Sequence, residues 1–141
     1  MVWVARSIAL AADALMTSPE SQHSKAWRER MQELRAIRGY RDDWDGLGAQ
    51  APGPDLTDDV EAILRSCRED PSLPAPDRIL ATPDGGVAVE WQLGSTVLEV
   101  EFTASGVAEF MHSVSGAQTK QWTMPFANNS QRALGWASAT A

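Results

Sequence analysis

From residue 78 to residue 112 apolar and polar side chains alternate with a period of two, and glycine-bearing turns cut the alternation at short intervals. Successive strand side chains point to opposite faces, so this is the pattern of an antiparallel sheet with one buried face. It predicts strands at 78–81, 87–93, 96–103 and 107–112 or slightly beyond, with a fifth around 119–123. Asp84-Gly85-Gly86 supplies residues that tolerate positive φ between the first two strands.

Upstream the period lengthens to that of a helix. Residues 2–16 place Val4, Ile8, Ala11, Ala12 and Leu15 near one stripe. Arg6 and Asp13 interrupt this run and no basic segment precedes it, so it reads as a core-forming helix rather than a secretory signal. A second helix is predicted over 19–38. Ser18 suits its N-cap, Pro19 its first position and Gly39 its C′ position. Trp27, Met31, Leu34 and Arg38 share a stripe with Ile37 beside it, and the other face is charged. A third helix runs from a cap at Asp55 or Thr57 to about Cys67, burying Val60, Ile63 and Leu64. Between these helices, residues 40–54 are rich in glycine and proline yet hold Tyr40 and Trp44, which predicts an ordered loop. The fold class is α+β: N-terminal helices, then a four- to five-stranded antiparallel meander with helices on one face. One domain is expected over 1–126, with a C-terminal tail at 127–141.

Strand arithmetic exposes an unusual feature. With Gly94-Ser95 as a two-residue turn, Trp91 pairs with Leu98 and Glu90 lies opposite Glu99. With Ala104-Ser105-Gly106 as a three-residue turn, Glu101 lies opposite Glu109 and Val100 opposite Phe110. Val89, Trp91, Leu98, Val100 and Phe102 then face the core, and Glu90, Glu99, Glu101 and Glu109 share the outer face across three strands. Like charges directly opposite are destabilising, so two such pairs require compensation. Three readings are open: a solvated face with arginines of the second helix nearby, a docking surface for a basic partner, or a site for a divalent cation or acid/base chemistry. His112 falls in register with Ala108 and Phe110 on the core side, away from the glutamates.

The net charge of −7 argues against binding nucleic acid through bulk charge and against anionic membranes. The single cysteine, Cys67, excludes an intrachain disulfide and is compatible with a cytoplasmic location. Asp42, Asp43, Asp45 and Gly46 resemble a calcium loop only in part, lacking the later bidentate glutamate. They are expected to form local turns while Trp44, like Trp27 and Trp91, fills the core. Trp3, Trp122 and Trp136 are candidate interface anchors. No zinc, phosphate-loop or nucleophile-elbow pattern is present, so no cofactor is assigned.

Trp44-Asp-Gly-Leu-Gly-Ala with Pro52 and Pro54, then Thr82-Pro-Asp-Gly-Gly-Val-Ala-Val-Glu-Trp and Leu98-Glu-Val-Glu, resemble a widespread group of small, functionally uncharacterised bacterial proteins. The group shares a Trp-Asp-Gly-x-Gly-Ala, proline, Pro-Thr-x-Asp-Gly-Gly-x-x-Leu-Glu-Trp and Leu-Glu-x-Glu signature. The resemblance covers residues 40–110 and implies no activity. The expectation is a non-enzymatic cytoplasmic protein that binds a basic protein partner through Glu90, Glu99, Glu101 and Glu109. The antitoxin-like, immunity-like and phage-defence subunits are the model for such a role. A metal-dependent hydrolase or nuclease built on the same glutamates is the first alternative. A structural or phage-derived assembly protein, working by self-association, is the second.

Overall fold

The computed structural model describes residues 19–115, 117 and 119–126. The predicted helix at 2–16 and the tail at 127–141 lie outside these residues, as do Trp3 and Trp136. The architecture is α+β: helix α1 (Pro19–Arg38), helix α2 (Pro54–Arg68), then strands β1 (Arg78–Ala81), β2 (Val87–Leu93), β3 (Thr96–Phe102), β4 (Val107–Val114) and β5 (Lys120–Pro125). The strands form one antiparallel sheet in the order β1-β2-β3-β4-β5, each beside its neighbour in sequence.

Helix α1 buries Trp27, Met31, Leu34 and Ile37, while Arg38 at the end of the same stripe stays exposed. Gly39 does not take the positive φ expected of a C′ glycine. The helix instead ends by tightening: the amides of Gly39 and Tyr40 donate to the carbonyls of Ala36 and Ile37, three residues back. Helix α2 also starts differently from expectation. Its N-cap is Gly53, and neither Asp55 nor Thr57 caps it. Pro54 initiates it, because proline is preset to helical φ and lacks the amide that a cap would satisfy. Asp55 lies in the first turn, where the helix dipole favours an anion. Thr57 is buried and its hydroxyl donates to the Pro54 carbonyl at 3.0 Å.

Arg38 reaches Asp58 at 2.6 Å and Arg35 reaches Glu61 at 4.0 Å, so late residues of α1 lie beside early residues of α2 and the helices run antiparallel. The pair packs on the sheet face that carries Ile79, Val87, Val89, Trp91, Leu98, Val100, Phe102 and Phe110, forming one core cluster. The Trp91 indole N–H donates to the Pro74 carbonyl at 2.9 Å, which anchors the proline-rich connection. At the turn between β2 and β3, Gly94 has φ +65°, a conformation that side chains resist. The two-residue turn it permits sets the strand register.

Trp44 departs from its expected place. It is half-buried outside the core, lies with its ring 5.3 Å from that of Tyr40, and donates its indole N–H to the Gln50 carbonyl at 3.1 Å. The aspartates around it do form local turns. Asp43 accepts from the Gly48 amide at 2.8 Å, Asp42 from Ala51 at 2.9 Å, and Asp45 from both Leu47 and Ala49 at 2.8 and 3.1 Å. The Leu47 amide is the main reason the Asp45 carboxyl is held below its ordinary range. These bonds close the loop on itself, and Trp44 seals its edge instead of reaching the helices.

Candidate functional site

The register of the sheet builds the outer face in rows. One row reads Arg78, Glu90, Glu99, Met111 and Gln121 from β1 to β5. The row beside it reads Leu80, Ala88, Glu101, Glu109 and Thr123. The structure therefore brings Glu90, Glu99, Glu101 and Glu109 onto one face, with Glu90 opposite Glu99 and Glu101 opposite Glu109. His112 lies opposite Leu98 and Lys120, off this face.

The two acidic pairs are compensated differently. Arg78 stands opposite Glu90 and forms a 2.9 Å ion pair with it. The hydrogen bond and charge of Glu90, together with the charge of Glu99, raise the Arg78 pKa further. The expected arginines of α1 do not perform this role: Arg30, Arg35 and Arg38 pair with Glu29 and Glu33, with Glu61, and with Asp58. The helices occupy the opposite sheet face, so the cation had to come from a neighbouring strand.

The second pair has no such cation. Neither Glu101 nor Glu109 forms an ion pair among the described residues. Partial burial raises the pKa of Glu101, and the charges of Asp84 and Glu109 push it the same way, against a lowering hydrogen bond with Thr82. The Thr82 hydroxyl also lies 2.6 Å from an Asp84 carboxylate oxygen and accepts from the Gly86 amide at 3.0 Å. Gly86 makes this arrangement possible. A Cβ there would come within 2.7 Å of the Thr82 hydroxyl, 2.9 Å of the Phe102 carbonyl and 3.3 Å of a Glu101 carboxylate oxygen. The turn between β1 and β2 thus brings Thr82 and Asp84 to the end of the acidic row.

Glu99, Glu101 and Glu109, with Met111, Gln121 and Thr123, line an open hollow of about 490 Å³. Phe110 and Trp122 also border it, but their register sends their stacked rings, 5.2 Å apart with planes 3° apart, to the opposite, core-side face. The hollow is acidic with an apolar element, Met111, and Leu80 lies exposed in the acidic row on the far side of Ala88. Among the described residues, no group of three or more His, Cys, Asp or Glu side chains is placed to hold a metal ion. The carboxylates are spread along two rows instead of converging on a point. Among the described residues, no helix is long and apolar enough to cross a membrane.

Sequence reasoning located the four glutamates but missed Arg78, Thr82, Asp84 and Gly86. Arg78 was within reach of the same pairing arithmetic, carried one strand further back. The Thr82–Asp84–Glu101 grouping was not, because a five-residue connection has no period from which its side-chain directions follow. The chain matches no protein-family model, no curated protein and no solved structure.

Proposed function

We propose that this protein is a non-catalytic binding module that docks a basic segment of a partner protein against Glu99, Glu101 and Glu109. The observation that carries the reading is the asymmetry between the two acidic pairs. Glu90 is already neutralised by Arg78, whereas Glu101 and Glu109 face each other with no cation among the described residues. A lysine or arginine entering the hollow supplies that cation, and Met111 gives its aliphatic stem an apolar contact. The partner segment that fits is basic and protruding, because the surface that receives it is concave. Electrostatic complementarity of this kind sets specificity and association rate more than raw affinity. Such a module has the character of an accessory subunit, of the antitoxin-like, immunity-like or phage-defence sort.

Zero-length carboxylate-to-lysine cross-linking in an extract of the native host, followed by peptide mapping, tests the reading. The expected result is a partner segment joined to Glu99, Glu101 or Glu109. A Glu99→Gln/Glu101→Gln/Glu109→Gln variant that stays folded, with a melting temperature no lower than the wild type's, should lose that partner. Retention of the same partner at the same yield by the variant overturns the proposal.

A further inference from the structure

On the other side of the molecule, four of the chain's ten arginines gather in one groove between the helices. Arg28 and Arg35, seven residues apart on α1, face Arg65 and Arg68 on the last turns of α2. Met31, almost fully buried, contributes to the same groove, whose volume is about 470 Å³. In a chain of net charge −7 this is a local concentration of the opposite sign.

The four side chains are not equivalent. Glu61, only 21% exposed, accepts a hydrogen bond from Arg65 at 3.0 Å and lies 4.0 Å from Arg35. It bridges the two helices, while both guanidinium groups stay largely exposed. Arg28 and Arg68 line the same groove, and neither forms an ion pair among the described residues. Glu69 is the anion in the lining itself, and with the adjoining Glu61 counted as well the four arginines still exceed the carboxylates by two charges. Partial negative charge at the end of α2 favours Arg65 and Arg68 there. The end of α1 likewise favours Arg35, in its last turn, which leaves Arg28, in the middle of α1, outside that explanation.

We infer that this groove is a binding site for a small ligand carrying a pyrophosphate group. Guanidinium groups present paired donors that match phosphate oxygens two at a time. Four arginines around one groove, two of them in no ion pair among the described residues, suit a multiply charged anion better than a single carboxylate. The positive patch is also short. Asp58 and Glu61 precede it on α2 and Glu69 follows it, so a long polyanion laid along the helices would meet carboxylates at both ends. The site is separate from the acidic sheet face, and the two proposals stand or fall independently.

Isothermal titration of the purified chain with inorganic pyrophosphate at low salt tests the assignment, with a hexaglutamate peptide and a short DNA duplex as competing probes. Saturable one-to-one binding of pyrophosphate is expected, weakened about tenfold or more in an Arg28→Gln/Arg68→Gln variant, as loss of charge-assisted contacts requires. Both arginines are exposed, so the variant should melt at the wild-type temperature. Absence of saturable binding, equal binding by the Arg28→Gln/Arg68→Gln variant, or tighter binding of the peptide or the duplex than of pyrophosphate overturns the inference.

Discussion

Replacing Glu101 with glutamine should make the folded protein more stable at neutral pH. Glu101 and Glu109 are directly opposite in the β3–β4 ladder, and no described cation pairs with either. Cross-strand neighbours stand about 5 Å apart at Cβ, which puts the carboxylates roughly 6 Å apart. In a mostly aqueous medium, with an effective dielectric of about 40 to 80, two like charges at that distance repel by about 0.7–1.4 kcal/mol. Salt lowers this at a half-exposed site, so a gain of about 0.5–1 kcal/mol is expected for Glu101→Gln, or about 2–4 °C in melting temperature. Glutamine keeps the acceptor for Thr82 and adds an amide donor toward Asp84.

The pH dependence has a definite sign. Folding raises the Glu101 pKa above its ordinary 4.5, so the folded state binds this proton more tightly than the unfolded one. The contribution of Glu101 to stability is therefore most favourable below pH 4.5 and is lost as pH rises through the folded-state value. The advantage of the glutamine variant should appear across that window and fade at lower pH. Urea titrations at pH 7 and pH 4, for wild type, Glu101→Gln, Glu109→Gln and the double variant, measure the effect and the coupling between the two sites. Glu90→Gln serves as the contrast: it removes the ion pair with Arg78 and should be neutral or slightly destabilising. If Glu101→Gln is no more stable than wild type at pH 7, the pair is not an uncompensated repulsion, and the main support for a docking role is gone.

Two further outcomes follow from local geometry. Gly86→Ala should destabilise by about 1–3 kcal/mol in denaturant unfolding, because the added methyl would approach the Phe102 carbonyl to 2.9 Å and the backbone cannot yield as a side chain can. Cys67 is fully buried, and burial, aided by the charge of Asp70, pushes its thiol from 9.0 up to about 11. At pH 8 that leaves an ionised fraction about a hundredfold below that of a free thiol, so an aromatic disulfide reagent should label Cys67 at least that much more slowly in the native protein than in denaturant.

Period and turn chemistry carried the sheet and the glutamate face. Strands β1 and β2 lie where alternation placed them, and the pairings of Trp91 with Leu98, Glu90 with Glu99 and Glu101 with Glu109 follow from two glycine turns counted along the chain. A one-residue slip would send Trp91, Val89 and Phe102 to the solvent side, so the hydrophobic pattern leaves no freedom in the register. The helix stripe was legible for the same reason in Trp27, Met31, Leu34 and Ile37. Boundaries were less so. Gly53 and Pro54 start α2 where Asp55 or Thr57 was expected, since several residues in that segment can begin a helix and the backbone around them decides which does.

What the tertiary structure alone decided is the company each charge keeps. Trp44 is as apolar as Trp27, but three aspartate carboxylates fold its loop back on itself and hold it outside the core. Arg78 lies twelve residues from Glu90, yet it neutralises that glutamate and leaves Glu101, beside Glu109 and Asp84, with no cation among the described residues. Arg28 and Arg68 are far apart in the chain and meet only because two helices pack antiparallel. Periodicity is a local property and survives reading one residue at a time. Charge pairing depends on distances of a few ångströms between segments remote in sequence, and only the packed chain sets those distances.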